Sequence, residues 1–457
     1  MTLEPTTPDT AARDTAALDS EDGQLAYELD RAHVFHSWSA QAALKPMVIA
    51  GGLASTVWDF DGNEYLDFSS QLVNVNIGHQ HPAVVAAIHA QVDVLATIAP
   101  ATANLARGQA ASRILERAGD EFSKVFFTNG GADANENAIR LARLHTGRDK
   151  VLSMYRSYHG NTGAAVVATG DWRRVPNQYA RGHVHFFGPF SYRSEFWSES
   201  PVEEGERALQ HLRRVIQSEG ATSIAAILIE TIPGTAGVLV PPPGYLAGVR
   251  ALADEFGIVL IFDEVMAGFG RTGDWFAFQS LADEGADVVV PDLITFAKGV
   301  NSGYVPVGGV IISPSIAAAF DDSVFPGGLT YSGHPLAMAS IVGALDAMES
   351  EGIVANAKRV GADVIGPGLR ALQAKHPSII GEVRGVGVFW ALDLVADAAT
   401  REPVAPAVIA ALKKSLLALG LLPFFADNRL HVVPPCVVTD DEVARALDLY
   451  DQAFSSL

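Results

Sequence analysis

Two side chains that could act on one cofactor each follow a short apolar run of the kind that forms a buried strand. Lys298 comes directly after residues 293–297, and Asp263 comes directly after residues 258–262. A charged group at such a position is costly unless it is paired or used covalently. Two other interpretations stay open for the separate residues: a lysine that reaches solvent with its ammonium group, and an aspartate that caps the next segment.

Together, the lysine and the aspartate favour a shared chemical role. The carboxyl ends of neighbouring parallel strands meet at one edge of a sheet, where ligands of α/β proteins bind. There the Lys298 amine would form an imine with an aldehyde, and the Asp263 carboxylate would pair with a pyridinium nitrogen. The pair therefore indicates pyridoxal 5'-phosphate as the cofactor.

A phosphate on that cofactor needs a binding segment, and Asn129-Gly130-Gly131-Ala132 is the candidate. It lies between the apolar run 125–127 and a stretch with apolar residues at helical spacing. Glycines allow close backbone approach, and a helix N-terminus favours an anion. Because many α/β turns contain adjacent glycines, this segment supports the cofactor only in combination with Lys298 and Asp263.

A second glycine motif raises a different class of enzyme. Residues 268–273 match G-x-G-x-x-G and follow a predicted strand, as in dinucleotide-binding oxidoreductases. Two carboxylates, Asp263 and Glu264, precede the glycines where a pyrophosphate would lie. Since no long helix with apolar periodicity follows before Asp283, we expect no dinucleotide site here.

The elements that must position these residues alternate between short apolar runs and helical patterns. Such runs are typical of strands buried on both faces, and helical stretches such as 245–255 lie between several of them. This order predicts an α/β fold with a mostly parallel sheet. The predicted strands are 57–61, 64–68, 125–127, 151–154, 224–229, 258–262, 293–297 and 307–312.

The predicted organisation has four parts. Residues 1–24 are expected to form a mobile tail, and residues 25–75 to contribute to a small domain and to the pocket. Residues 76–335 would form the large cofactor-binding domain. Residues 336–457, with helix and strand mixed, would form a smaller α+β domain.

Composition narrows the classes of partner. The 457 residues carry a formal net charge of −20, which disfavours nucleic acid and anionic membranes as partners. No apolar run reaches the roughly 20 residues of a membrane helix, and the N-terminus lacks the pattern of a signal peptide. The single cysteine, Cys436, cannot form an intrachain disulfide. We expect a cytoplasmic protein without a metal site.

The motifs in their order resemble those of the class III (omega) aminotransferases, from about Ala32 to the end of the chain. The resemblance is carried by Phe262-Asp263-Glu264-Val265, the glycine motif 268–273, Pro291-Asp292 and Ala297-Lys298-Gly299. Further matches are Trp58-Asp59, Asp61-Gly62, Gly78-His79-Gln80-His81-Pro82, Thr128-Asn129, Ala134-Asn135, Tyr158-His159-Gly160, Thr330-Tyr331-Ser332-Gly333-His334-Pro335, Arg384-Gly385-Val386-Gly387 and Pro434-Pro435.

The resemblance implies a fold-type-I pyridoxal phosphate transferase that acts as a homodimer, or as a tetramer, with active sites shared between subunits. Lys298 would form the Schiff base, and Asp263 would bind the pyridinium nitrogen. The other implied cofactor contacts are Val265 and Tyr158 on the two ring faces, His159 beside the ring, Gly131 and Ala132 at the phosphate, Thr330 at the phosphate of the neighbouring subunit, and Glu230 near the cofactor and the lysine.

The resemblance also places a substrate pocket and shows where this chain departs from the family. Phe424 stands where several members carry an arginine that binds a substrate carboxylate, and Arg429 is a nearby basic candidate. Trp38 and Leu72 would line the pocket, and Val73 would widen it on one side. Ala132, at the phosphate, replaces a common Ser or Thr.

We therefore expect an aminotransferase that moves an amino group from an omega-amine or amino acid to a 2-oxo acid. Taurine, β-alanine or a related short omega-amine is the favoured donor. A racemase, aminomutase, decarboxylase or phospho-lyase would use the same residues. A dinucleotide oxidoreductase and a non-catalytic binding protein are the alternatives from other classes.

Overall fold

The computed structural model describes residues 20–282 and 288–457. Its helices are α1 Ser20–His33, α2 Ser70–Val73, α3 Pro82–Val94, α4 Leu105–Ala118, α5 Gly131–Thr146, α6 Gly163–Ala168, α7 Pro201–Glu219, α8 Tyr245–Phe256, α9 Ala277–Ser280, α10 Pro314–Ala318, α11 Pro335–Ser350, α12 Ile353–Val360, α13 Gly366–Lys375, α14 Pro406–Ala418 and α15 Asp440–Ser455. Its strands are β1 Ile49–Leu53, β2 Thr56–Asp59, β3 Glu64–Asp67, β4 Lys124–Thr128, β5 Lys150–Met154, β6 His183–Phe186, β7 Ile224–Glu230, β8 Val259–Asp263, β9 Leu293–Phe296, β10 Gly308–Ile312, β11 Ile380–Val386, β12 Phe389–Asp397, β13 Glu402–Pro403, β14 Leu421–Leu422, β15 Phe424–Ala426 and β16 Arg429–Val432.

A seven-stranded sheet forms the centre of the large domain, in the order β4-β10-β9-β8-β7-β5-β6. Neighbouring strands from β9 to β6 are parallel, whereas β10 runs antiparallel to both of its neighbours. Every residue of β7, β8 and β9 is buried, because helices cover both faces of the sheet. The α/β class and the mostly parallel sheet are confirmed.

The smaller domain is built around a second sheet and contains the C-terminal helix α15. Strands β11, β12, β16 and β15 pair in that order, and α12 to α15 pack against them in one apolar core. The N-terminal strands β1, β2 and β3 form another sheet together with β14, which pairs parallel to β3. The N-terminal strands therefore pair with a strand from the C-terminal part of the chain.

Two predicted boundaries differ from the structure. Helix α1 begins at Ser20, inside the predicted tail 1–24; the rest of that tail, 1–19, lies outside the described residues. The boundary at residue 336 falls in the first turn of α11. Ala337 and Met338 of this helix pack in the core of the large domain, and Ala347 and Met348 pack in the core of the small domain. One continuous helix therefore connects the two cores.

In the residues that the structure describes, no helix is both long and apolar enough to span a bilayer. The same residues contain no group of three or more His, Cys, Asp or Glu side chains arranged to hold a metal ion.

Candidate active site

Three charged side chains meet at the carboxyl edge of the central sheet. Glu230 ends β7 and Asp263 ends β8, and the two residues are register partners in the sheet. Lys298 comes two residues after β9, whose Thr295 is the register partner of Asp263. The predicted strand ends thus place the lysine and the aspartate on neighbouring strands.

Asp263 is buried and held by three donors. Its Oδ2 accepts hydrogen bonds from His159 Nδ1 at 2.8 Å and from Asn135 Nδ2 at 2.7 Å. Its Oδ1 accepts the backbone N–H of Val265 at 3.0 Å. Because a carboxylate oxygen can accept more than one bond, Oδ1 keeps capacity for a further donor from the adjoining cavity.

Asn135 is itself fixed in place, which orients its amide toward Asp263. Its Oδ1 accepts the hydroxyl of Thr295 at 2.8 Å, and its Nδ2 also donates to the His159 carbonyl at 2.8 Å. No role for Asn135 was predicted from the sequence. Its place on the second turn of α5, four residues after Gly131, is the signal that could have pointed to it.

Lys298 has an unusual backbone conformation and a buried environment with charged neighbours. Its φ of 47° lies in the left-handed region, which costs free energy for a residue with a Cβ and is frequent at functional sites. Burial lowers the pKa of its ammonium, while the negative charges of Glu230 and Asp263 act in the opposite direction. A lowered pKa increases the fraction of neutral amine, the form that attacks a carbonyl.

Glu230 connects two loops at the sheet edge. Its Oε1 accepts the backbone N–H of Tyr158 at 2.9 Å, and its Oε2 accepts that of Gly234 at 2.8 Å. Burial raises the pKa of the Glu230 carboxyl, and these two donors with His159 lower it in part. The carboxylate therefore holds the segment that carries Tyr158 in place against the site.

The N-terminus of α5 borders the site without a capping side chain in the described part of the chain. A Cβ at Gly131 would lie 2.9 Å from Cγ1 of Val265, and one at Gly160 would lie 2.5 Å from the Cβ of Ala132. Glycine at both positions therefore allows the backbone to approach closely. The free N–H groups at such a helix start are donors for a phosphate.

Two cavities share this sheet edge. The inner cavity, of about 150 Å³, is lined by Gly131, Ala132, Asn135, Tyr158, His159, Gly160, Glu230, Thr235, Asp263, Val265, Met266, Ala297 and Lys298. The outer cavity, of about 450 Å³, is lined by Trp38, Leu72, Arg156, Ser157, Tyr158, Gly170, Asp171, Trp172, Arg173, Thr235, Ala236, Met266, Lys298, Phe424, Phe425, Ala426, Asp427 and Arg429. Lys298 belongs to both linings.

The inner cavity fits pyridoxal phosphate in its chemistry. It offers backbone donors at the start of α5 for a phosphate, the Asp263 carboxylate for a ring nitrogen, and the Lys298 amine for an aldehyde. Val265 and Tyr158 line the same space and are placed to contact a flat ring. His159 Nε2 is buried and has no partner among the described residues.

The outer cavity contains four of the five predicted substrate residues: Trp38, Leu72, Phe424 and Arg429. The rings of Trp38 and Tyr158 pack nearly perpendicular to each other, with their centroids 6.2 Å apart. Arg429 forms an ion pair with Asp427 at 2.5 Å, and burial lowers the pKa of its guanidinium. The structure thus turns Arg429 toward the cavity, a direction that the sequence could not establish.

Val73 is the exception, and the expectation that it widens the pocket is wrong for this chain. Residues Ser70–Val73 all have positive φ, so α2 is a left-handed turn. This turn exposes Leu72 to the outer cavity and buries Val73, which packs in an apolar cluster with Ile232 and Phe389. The handedness of a four-residue turn was not readable from the sequence.

Thr330 lies on the surface and is absent from the linings of both cavities as the described residues form them. Its expected contact with a phosphate of a neighbouring subunit stays a prediction.

The glycine motif 268–273 has a structural role. It forms successive turns that lead to the four-residue α9, and Arg271 within it is completely buried. The Arg271 guanidinium donates to the carbonyl of Pro434 and, at 2.6 Å, to Oδ1 of Asn76. Because a dinucleotide site needs a long helix after the glycines, the motif does not form one.

Several other lining residues were not identified from the sequence. Thr235 and Met266 follow β7 and β8 and contribute to both cavities, whereas Arg156 and Arg173 line the outer cavity. For Thr235 and Met266, their place in loops at the carboxyl ends of strands was the available signal. The arginines gave no local signal, since surface arginines are common in loops.

Comparison with known proteins shows which family and which structures this chain is similar to. The family described as aminotransferase class-III matches residues 39–454. A taurine–pyruvate aminotransferase from Bilophila wadsworthia is 30% identical, over 94% of this chain and 96% of the relative. A 5-aminovalerate aminotransferase from Pseudomonas aeruginosa is 33% identical, over 91% and 95%.

Among solved structures, the taurine:2-oxoglutarate aminotransferase from Bifidobacterium kashiwanohense, in complex with pyridoxal phosphate and glutamate, is 40% identical with a TM-score of 0.90. The match covers 95% of this chain and 98% of that one.

Proposed function

The chain belongs to the class III aminotransferases, pyridoxal phosphate-dependent enzymes of fold type I, and we propose that Lys298 holds the cofactor and that the donor is a short omega-amine. The acceptor is a 2-oxo acid. The observation that carries this proposal is the position of Lys298, which lines both the inner cavity beside Asp263 and the outer cavity.

Pyridoxal phosphate, when bound, supplies an aldehyde that condenses with amines and a ring that accepts electrons from the substrate carbon. The N–H groups of Gly131 and Ala132 would bind the phosphate. Asp263 would keep a proton on the ring nitrogen, with His159 and Asn135 fixing its carboxylate. Lys298 Nζ would take the proton from the amine-bearing carbon of the donor. It would then deliver this proton to the former aldehyde carbon of the cofactor, which is bonded to the ring.

The side walls of the inner cavity orient the ring. Val265 would pack on one face and Tyr158 on the other, since both line the inner cavity. Glu230 contributes by holding the backbone of Tyr158 and Gly234, and its position close to Lys298 gives the buried amine an acidic neighbour. A rigid ring position favours proton transfer because reacting atoms stay in line.

The outer cavity favours omega-amines over common α-amino acids. Phe424 stands at the position where several family members carry an arginine that binds a substrate carboxylate, so this wall of the cavity lacks that cation. Trp38, Leu72 and Phe424 form apolar walls that suit a methylene chain. Arg429 would bind the carboxylate of the 2-oxo acid.

We also propose a cytoplasmic homodimer, or a tetramer built from such dimers, with Thr330 of each subunit contacting the phosphate in its neighbour. The exposed position of Thr330, away from the cavities of its own chain, supports this arrangement. The acidic composition and the single cysteine are compatible with the reducing cytoplasm.

A donor-by-acceptor panel tests the substrate class. The purified holoenzyme is assayed with taurine, β-alanine, 4-aminobutyrate, 1-phenylethylamine and common α-amino acids, each with pyruvate and with 2-oxoglutarate. We expect the highest kcat/KM for an omega-amine. Much better turnover of α-amino acids than of every omega-amine would contradict the donor class. Conversion of the cofactor to its aminated form by a donor alone separates a transaminase from a racemase or decarboxylase.

Arg429→Ala tests the acceptor site. Removing the guanidinium deletes a charge-assisted contact of about 1.5–3 kcal/mol, so KM for the 2-oxo acid should rise roughly 10- to 150-fold. KM for 1-phenylethylamine, which has no carboxylate, should stay near the wild-type value. Arg213→Ala is the control, because Arg213 pairs with Glu255 on the surface, away from both cavities. If Arg429→Ala leaves both half-reactions unchanged, the proposed role of Arg429 fails, but the proposed donor class still stands.

A further inference from the structure

The outer cavity contains three arginines, and each already has a carboxylate partner. Arg156 pairs with Glu195, Arg173 with Asp171 and Arg429 with Asp427. An acid group that enters the cavity must therefore replace one of these carboxylates or share its arginine. The arginine that binds the acid group of the donor would have to make this exchange.

Arg173 has the geometry for such an exchange. Its ion pair with Asp171 joins two residues of one short segment, with Nε 3.1 Å from Oδ1, Nε 3.0 Å from Oδ2 and Nη2 2.5 Å from Oδ2. Asp171 also accepts the backbone N–H of Arg173 at 2.9 Å, at the start of the 3-10 helix Trp172–Asn177. Asp171 would thus remain bound to the backbone after it releases the guanidinium.

A second contact would keep the guanidinium in place during the exchange. Cζ of Arg173 lies 4.0 Å from the centroid of the Tyr158 ring. A cation over an aromatic face is attracted by the ring electrons, and the attraction is stronger in a site with little solvent. Tyr158 lines both cavities, so this contact places Arg173 at the junction of the cofactor space and the substrate space.

The Arg173 charge also acts on the reacting amine. Burial is the main cause that lowers the pKa of Lys298, and the positive charges of Arg271 and Arg173 lower it further. Arg271 lies outside both cavity linings, whereas Arg173 lines the outer cavity together with Lys298. An acid group bound to Arg173 would therefore share the outer cavity with Lys298, as the acid group of a bound amino-acid or amino-sulfonate donor must.

We propose that Arg173 binds the acid group of the donor, a carboxylate or a sulfonate, by exchanging Asp171 for the substrate oxygens. Both groups present two oxygens to the fork of a guanidinium. The proposal rests on the proposed function and narrows it: the donor is a short omega-amino acid or omega-amino sulfonate. Arg429 is left for the 2-oxo acid, so the two substrates use arginines from different segments of the chain.

Binding of two unreactive anions tests the proposal without turnover. Isethionate and 3-hydroxypropionate have the chain and acid of taurine and β-alanine, with a hydroxyl in place of the amine. Each is titrated into the holoenzyme by calorimetry, with wild type, Arg173→Gln and Arg174→Gln. Arg174 is the matched control, because it belongs to the same 3-10 helix, contacts the ring of Tyr155 and lies outside both cavity linings.

We expect Arg173→Gln to raise the Kd of one or both anions at least about 10-fold, and Arg174→Gln to leave both near wild type. If Arg173→Gln raises the Kd of isethionate alone, the donor is a sulfonate. If it raises the Kd of 3-hydroxypropionate alone, the donor is a carboxylate. Wild-type Kd values for both anions in Arg173→Gln overturn the proposal. The proposal is also overturned if Arg429→Ala weakens the binding of the anions and Arg173→Gln does not.

Kinetics separates this inference from the proposed function. With pyruvate held constant, Arg173→Gln should raise KM for β-alanine or taurine by a much larger factor than KM for the neutral amine propylamine. Arg173→Lys should recover part of the loss, since it keeps the charge but not the fork. If the wild type aminates neither pyruvate nor 2-oxoglutarate from any of the amines, the proposed function fails. If the wild type is active and Arg173→Gln has the same KM for the acidic donors, only the role of Arg173 fails.

Discussion

Asp263 shows how a single residue of the site is prepared by its neighbours. Its carboxylate is buried, yet it is bound by a histidine, an asparagine and a backbone N–H. A buried carboxylate with fewer donors would be costly. The three donors approach from α5, from the loop that carries Tyr158 and from the turn after β8, so they fix both position and orientation.

Replacing Asp263 by asparagine should lower turnover strongly while cofactor binding remains measurable. An amide cannot match the positive charge of a protonated ring nitrogen, and the loss of one charge-assisted bond costs about 1.5–3 kcal/mol, or roughly 10- to 150-fold in rate. The measurement is kcat with the best donor, together with the cofactor content by absorbance. Turnover near the wild-type value in a variant with full cofactor content would contradict the role.

The sequence identified the lysine and the aspartate that follow strands, but it missed several residues that loops bring to the cavities. Lys298 and Asp263 each follow an apolar run, so their positions at the sheet edge were predictable. Arg173 lies in a loop and reaches the site through its contact with Tyr158, which no local pattern indicates. Val73 was predicted to widen the pocket, but the left-handed φ values of α2 turn Leu72 and not Val73 toward the outer cavity.

At the scale of elements, the start of α5 is the feature on which phosphate binding depends. Gly130 precedes α5 and Gly131 is its first residue, and the two positions differ in the space around them. A Cβ at Gly131 would contact Val265, whereas a Cβ at Gly130 would meet no atom within 4 Å. Gly130 has an extended φ of 174°, which other residues also adopt.

This difference gives a matched pair of variants. Gly131→Ala should weaken cofactor binding, because the new methyl group displaces Val265 or moves the helix start; overpacking of this kind costs about 1–3 kcal/mol. Gly130→Ala should bind the cofactor like the wild type. Titration of each apoprotein with pyridoxal phosphate, followed by absorbance, measures the Kd. Equal affinity in both variants would show that α5 does not approach the cofactor as closely as inferred.

The elements themselves were predictable where the apolar pattern was continuous. The runs that became β7, β8 and β9 were identified within one or two residues, because strands buried on both faces are apolar throughout. The pattern did not reveal β6 or β1, whose histidines and glycines interrupt it. Nor did it reveal that β10 runs antiparallel, since direction depends on the connection and not on side chains.

At the scale of the whole molecule, both domains contribute to the outer cavity. Phe424 and Arg429 come from strands of the small domain, and Lys298 and Tyr158 from the large domain. Arg271 ties the segments together through Asn76 and Pro434, and α11 runs through both cores. The substrate site therefore depends on how the two domains are held against each other.

Mixed dimers test the proposed contribution of Thr330 across the subunit interface. Lys298→Ala subunits are inactive, and Thr330→Ala subunits should lose activity at low cofactor concentration. In a mixed dimer one site would carry both defects, and the other would have its own Lys298 and the partner's intact threonine. Activity should therefore return when the two variants exchange subunits. If Thr330 acts within its own chain, each site of the mixed dimer keeps one defect and mixing restores nothing.

The most direct test of the account is to locate the covalent bond between cofactor and protein. The holoenzyme is reduced with borohydride, digested and mapped by mass spectrometry. Lys298 is the expected site because it lies beside Asp263 at the sheet edge and its pKa is lowered by burial. The account predicts the phosphopyridoxyl group on the peptide that contains Lys298. The same group on any other lysine, or its absence from a fully loaded enzyme, would contradict it.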